Sequence, residues 1–155
     1  MKLIQGIDFF YYDQVKGLTV LGHDGFLFGA QQSSAELLSL LCEANGRSVI
    51  GSMELFAKVN QAHQKLAVLV SPSQEEIYFP THASNNPNCI WVNYGRIQRI
   101  EVYHENQCLV HFKSGTQLAV SCSARVVSKQ RKRCANLLGS LCNPYEQIND
   151  LFSKI

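Results

Sequence analysis

Lys129-Gln130-Arg131-Lys132-Arg133 packs four cations into five residues, and the chemistry such a run offers is charge neutralisation of an anion. No Asp or Glu occurs between Asn106 and Tyr145, a stretch that also carries Lys113 and Arg125. A helix face that only has to be solvated tends to alternate sign, so a cation cluster without interleaved acids points to an anionic partner. Helical spacing puts Arg125, Lys129 and Lys132 on one face, with Val127, Gln130, Cys134, Leu137, Leu138 and Leu141 on the opposite one. A Lys or Arg set beside a phosphate releases a condensed counterion, which is how basic faces bind nucleic acid. The candidate phosphate contacts are Arg131, Lys132 and Arg133, supported by Lys129, Arg125 and Arg96. Arg47 joins them because it follows Gly46 in a segment where backbone can approach a ligand closely. Arg96 and Arg99 flank Ile97, and strict alternation would send them to opposite faces unless the strand is bulged. Lys58 and Lys65 read as ordinary surface residues, and the plain alternative for the whole run is the solvated side of a helix.

Two other chemistries have the residues but lack the spacing. There are six Cys and five His, yet no C-x-x-C pair; Cys134 and Cys142 lie eight apart, His82 and Cys89 seven, whereas structural zinc takes ligands two to five apart. No metal or cofactor is expected. Cys89 with His82 or His104 could be written as a nucleophile and base, but a Cys two residues before the only Trp, Trp91, inside an apolar run reads as core. Glu75-Glu76 is a solvated acidic pair, and Gly22-His23-Asp24-Gly25 is a turn rather than a phosphate loop. The chain therefore does not read as an enzyme.

The elements that must position the cations follow from pattern. At 155 residues and 46% hydrophobic, the chain fits one domain over 1–155, long enough to bury roughly 70% of its unfolded surface. The start, soon meeting Asp8, does not read as a signal peptide, so the six thiols are expected reduced and the protein cytoplasmic. No apolar run reaches the roughly 18 residues of a membrane span. Net charge is only +2, but residues 1–60 carry four basic and six acidic side chains and residues 61–155 ten and six, so the basic partner-facing half is the second.

Residues 3–12 and 17–30 read as strands, with turns at Lys16-Gly17 and Asp24-Gly25. Ser33 or Ser34 opens a helix whose Glu36 has the capping-box spacing, and Asn45-Gly46 stops it. Residues 47–60 are ambiguous: Val49, Ile50, Met53, Phe56 and Ala57 make one helical face, but Gly51 weakens it. Residues 66–70, 77–79 and 90–92 read as strands, and Ile97–His104, Cys108–Lys113 and Thr116–Ser121 as an antiparallel meander with a tight turn at Ser114-Gly115. A long amphipathic helix begins near Ser123 and ends at Asn143-Pro144, before a short amphipathic tail with Ile148, Leu151, Phe152 and Ile155. The expected class is α+β: a curved antiparallel sheet with a helix after the first strands and a C-terminal amphipathic helix. Three strands followed by a closing helix are also similar to the end of a PH-like barrel, which implies no function by itself.

One motif identifies more than it does. Phe79-Pro80-Thr81 is followed five residues later by Pro87-Asn88-Cys89-Ile90-Trp91. Upstream stand Leu37-Leu38, Cys42, Gly46, Ser48, Gly51 and Ser71-Pro72-Ser73; downstream stand Ile97, Val110, Phe112, Gly115, Gln130, Arg133, Ala135 and Leu137. In types and spacing this series resembles the competence transcription factor (ComK) family. The resemblance implies an activator of DNA-uptake genes that binds A/T-rich double-stranded DNA, largely through the minor groove, as a homo-oligomer. It also implies that an adaptor of a regulatory protease is a partner.

The chain departs from that pattern at basic positions. Ser52 and Met53 stand where the family carries an Arg-Lys pair, Gln64 where a Lys follows the His at His63, and Asn86 where an Arg precedes Pro87. Leu138 and Ser140 replace basic residues, while Arg131 and Lys132 add charge beside Arg133. The alternative reading is thus an interaction module on the same scaffold that modulates an activator or its degradation adaptor without binding DNA.

Overall fold

The computed structural model describes residues 6–141 together with Leu151, Phe152 and Ile155. The chain opens with β1 (Phe9–Asp13), β2 (Leu18–His23) and β3 (Phe26–Ala30). The β1–β2 connection is closed by Asp13, whose side chain accepts from the Val15 and Lys16 amides at 3.0 and 3.1 Å. The β2–β3 hairpin turns on Asp24 and Gly25, with φ of 48° and 84°; two left-handed residues twist the chain in the sense a hairpin needs.

Helices α1 (Ser34–Ala44) and α2 (Val49–Asn60) follow. Ser33 is the cap of α1, its Oγ accepting from the Glu36 amide at 3.1 Å and contacting Glu36 Oε1 at 3.3 Å. At the far end Gly46 takes φ of 68°, so its N–H reaches Glu43 O while the Arg47 N–H reaches Cys42 O at 2.8 Å, the paired closure that a left-handed residue makes possible. The ambiguous segment is therefore resolved as helix. Gly51 does not weaken it, because it lies in the first turn, where its amide donates to Ser48 Oγ at 3.0 Å. The expected face is largely the inward one, with Phe56 buried and Val49 and Met53 packed against the core, but Ile50 is 72% exposed and Ser52 is buried, its Oγ donating to Leu69 O at 2.8 Å.

The remaining strands are β4 (Val68–Ser71), β5 (Glu76–Pro80), β6 (Trp91–Asn93), β7 (Ile97–His104), β8 (Gln107–Phe112) and β9 (Gln117–Val120), with a 3-10 turn at Tyr94–Arg96 and helix α3 (Ala124–Leu141) at the end. Among the described residues the strands pair into a six-stranded antiparallel sheet, ordered β3-β2-β1-β6-β5-β4, and a three-stranded meander, β7-β8-β9; no closed barrel is found. The fold is α+β, as expected. Of the expected strand over 3–12, residues 3–5 lie outside the described residues, residues 6–8 are not strand, and β1 begins at Phe9. The stop at Asn143-Pro144 and most of the amphipathic tail also fall outside them.

Each face of the large sheet buries its own apolar cluster. Phe9, Phe79 and Val92 meet Phe112, Val110 and the α3 residues Val127, Cys134 and Leu137. On the other side Phe10, Tyr78 and Trp91 pack under Leu38, Leu41 and Cys42 of α1. Trp91 stacks on Phe10 with ring centroids 6.4 Å apart. The long β5–β6 connection is pinned at its neck, where Thr81 N donates to Ile90 O and Ile90 N to Thr81 Oγ1, both at 3.0 Å. The identifying motif is thus a closed loop whose exits deliver Cys89 and Trp91 to the core.

Candidate nucleic-acid interface

Helix α3 carries the basic run, and its burial fixes where the cations point. Val127, Gln130, Cys134 and Leu137 are buried, which leaves Arg125, Lys129, Lys132 and Asn136 exposed. These four fall at i, i+4, i+7 and i+11, so they form one stripe about 16 Å long at the helical rise. Facing the stripe is the segment that joins α2 to β4. It leaves α2 through Gln61 and enters the next strand through Lys65, with left-handed φ of 50° and 52°. Between this segment and α3 lies an open groove of about 710 Å³. Lys65, Lys129, Lys132, Arg133 and His63 line it, together with Gln64 and Asn136, and among the described residues no carboxylate lines it.

One buried residue holds the two walls together. The Gln130 amide donates to Lys65 O at 2.9 Å and to Pro80 O at 3.0 Å, and its carbonyl accepts from Arg133 Nη1 at 2.7 Å. It so ties α3 to the groove segment and to the Phe79-Pro80-Thr81 motif in a single step. Arg133 extends the clamp: Nη2 donates to Gln64 O at 3.1 Å, the guanidinium lies 4.9 Å from the Phe56 ring centroid, and its own carbonyl accepts from Asn60 Nδ2 at 3.0 Å. Burial lowers the Arg133 pKa from its ordinary value. Asn136 Nδ2 adds a contact to Asn60 Oδ1 at 3.2 Å.

The residues named from sequence therefore separate. Lys129, Lys132 and Arg133 come together at the groove, with Arg125 one turn along the same stripe. Arg133 is half-buried and two of its guanidinium nitrogens are engaged inside the protein. Arg131 is on another side of α3, close enough to act electrostatically on Tyr94. Arg47 sits at the α1–α2 junction, its amide used in the helix closure. Arg96 belongs to the 3-10 turn rather than to a strand, and its guanidinium covers Gly6, where an added Cβ would lie 1.5 Å from Nη2. Its charge acts on buried Asp8, whose pKa is nonetheless raised by burial. The strand that follows is bulged between Ile97 and Arg99, so Gln98 and Arg99 are both exposed.

Lys65, read from sequence as ordinary surface, turns out to line the groove. The signal that could have flagged it is its place next to His63 and Gln64, positions that the family pattern already marks. Asn60 and Asn136 carried no such signal.

The cysteine chemistry has a plain geometry. Cys42, Cys89, Cys108, Cys122 and Cys134 are free and buried. The Cys89 thiol donates to the His82 carbonyl at 3.4 Å, while the His82 ring nitrogens face Thr81 Oγ1 and Ser121 O at 2.8 and 3.0 Å. Burial pushes the Cys89 thiol up, away from the thiolate that nucleophilic chemistry uses. Among the described residues no group of three or more His, Cys, Asp or Glu could hold a metal, and no helix is long and apolar enough to cross a membrane.

No curated protein and no solved structure matches the chain. A family model described as ComK protein matches residues 11–143, most of the chain. That span contains the closed β5–β6 loop, the Gln130 clamp and the α3 stripe. The chain belongs to the ComK family, a family of competence-related transcription factors.

Proposed function

We propose that the protein is a DNA-binding activator of competence genes and that the groove between α3 and residues 61–65 is its phosphate-contacting face. One observation carries this: an open groove lined by Lys65, Lys129, Lys132 and Arg133, with no carboxylate among the described residues that line it, in a chain of net charge only +2. Cations held side by side repel one another, and a polyphosphate backbone relieves that repulsion while releasing counterions. A helix with its side chains is about 10–12 Å across and does not enter a minor groove about 6 Å wide. In this reading α3 lies over the phosphate rim, and long Lys or Arg side chains reach the narrow, strongly negative groove of an A/T tract. Arg125, Lys129 and Lys132 make the principal contacts, Lys65 the facing ones, and Arg133 supports the wall. The protein acts as an oligomer in the cytoplasm, under the control of a protease adaptor.

The test is fluorescence anisotropy of a labelled A/T-tract duplex against a G·C-rich control over a salt series, with wild type and K129A/K132A. Tighter A/T binding, and a salt slope lower by about 1.8 in the double variant, is the expected result. Equal affinity of variant and wild type removes the site. The second reading is an interaction module without DNA binding. It is favoured by the intramolecular engagement of Arg133 and the packing of Arg96 on Gly6. Absence of duplex binding at about 50 mM salt, where basic binders still hold, selects it.

A further inference from the structure

The two edges of the six-stranded sheet are finished differently. Strand β4 is buried along its whole length under the helices. Strand β3 is the opposite edge, and nothing in the described chain covers it: Phe26 is 69% exposed, Leu27 66% and Phe28 42%. Its register shows what these side chains continue. Phe28 pairs with Leu21, which belongs to the cluster under α1. Leu27 pairs with Gly22, whose open face is filled by the Phe9 ring of the other cluster. The edge thus extends both cores of the protein and stops.

Exposed edges are normally blunted by charge, proline or a bulge. Here no charged residue and no proline occurs from Gly25 to Ala35, and the β2–β3 register runs without a shift. The strand also reads the same in both directions, Gly25-Phe26-Leu27-Phe28-Gly29. We propose that β3 is the edge through which two copies of this chain pair, antiparallel about a two-fold axis at Leu27. That register sets Leu27 opposite its own copy and Phe26 opposite the second copy's Phe28, with Gly25 opposite Gly29. The four Phe rings then share one face of a continuous sheet and the two Leu side chains the other. Cross-strand aromatic pairs are among the favourable ones, and the neutral strand brings no like charges together. A second copy fits better than a foreign strand because an isologous contact makes one patch complementary to itself.

Area decides how strong the pairing is. With Phe at about 200 Å², the three side chains expose on the order of 350 Å² per copy, within the range of the largest functional patches on monomers. Two copies fall short of the roughly 1,200–2,000 Å² of a stable complex. The pair is therefore weak in solution, micromolar or weaker. The proposal stands without the DNA-binding reading; two chains held on one duplex would simply meet at a higher effective concentration.

Cysteine substitutions read the register directly in the full chain. Opposed residues in an antiparallel pair have Cα atoms about 4.5–5.5 Å apart, within the reach of a disulfide. Under mild oxidation L27C forms a covalent dimer reversed by reductant, F26C alone does not, and an equimolar mixture of F26C and F28C does. Sedimentation velocity gives the non-covalent measure: wild type gains mass with concentration, and L27E, its Trp91 emission unchanged, stays monomeric. Failure of L27C to cross-link, cross-linking of F26C as readily as L27C, or identical mass profiles for wild type and L27E each overturn the proposal.

Discussion

Gln130 is the residue that holds the two walls of the candidate groove together. Its amide makes three hydrogen bonds, to Lys65 O, Pro80 O and Arg133 Nη1, while only 2% of the residue is exposed. Q130A leaves the buried Pro80 carbonyl, the half-buried Lys65 carbonyl and a guanidinium N–H without this partner, and we expect a loss of about 2–4 kcal/mol. Urea unfolding followed by the single Trp91 checks it; an unchanged midpoint would show that the clamp is not structural. Asp8 poses the opposite case. It is fully buried, Ser114 Oγ donates to Oδ2 at 2.7 Å, and Oδ1 has no partner among the described residues. Burial raises its pKa above 3.8. A raised carboxyl favours the folded state while protonated, and this contribution is lost as pH rises through the folded pKa. The stability of wild type relative to D8N is therefore greatest below about pH 3.8 and declines as pH rises past it. Parallel denaturation curves for the two proteins between acid and neutral pH test this, and a pH-independent difference refutes it. At this scale the sequence could name Lys129 and Lys132 as outward-facing, because helix periodicity is local. It could not show that Arg133 reaches Gln64 O, because that partner arrives through tertiary packing, whereas Gln130 lies only three residues away on α3.

At the scale of elements, boundaries set by short-range chemistry were legible and burial was not. Ser33, Asn45-Gly46, Asp24-Gly25 and Ser114-Gly115 each mark an end or a turn through bonds spanning a few residues. Gly46 is the clearest case, since its φ of 68° closes α1 and directs the chain into α2. A side chain there must adopt a left-handed backbone, at about 1–2 kcal/mol. G46A should lose about that much stability while its intrinsic duplex affinity is unchanged, because open space surrounds the position. Thermal unfolding beside the anisotropy assay separates the two effects. Helix α2 was ambiguous because Gly51 weakens a helix interior, whereas here it occupies the first turn and its amide is capped by Ser48. On its inward face Ile50 was misplaced and Ser52 was missed, because Ser52 is polar and only Leu69 O, from a distant strand, supplies its buried partner. The bulge that leaves Gln98 and Arg99 both exposed depends on pairing with β8, a contact no local pattern encodes.

For the whole molecule the governing fact is a small net charge unevenly spread. The groove gathers Lys65 from one side and Lys129, Lys132 and Arg133 from the other, with no carboxylate among the described residues that line it, so duplex affinity should respond to single charges there. Gln64 lines the same groove, and its carbonyl, not its side chain, holds Arg133. Q64K should therefore tighten A/T-duplex binding several-fold and steepen the salt slope by about 0.9. A salt titration showing no change would place the DNA elsewhere. The sequence by itself determined the α+β class, the meander, the stop of α1 and a second half with an excess of cations. These rest on periodicity, turn residues and composition, which act over a few residues or over none; the family came from a resemblance in residue types and spacing along the chain. Tertiary structure alone decided that Lys65 faces α3, that Gln130 joins three distant segments, and that one sheet edge is covered while the described residues leave β3 open. Each of those depends on contacts between residues dozens of positions apart, where burial and hydrogen-bond satisfaction choose among arrangements that local pattern leaves equal.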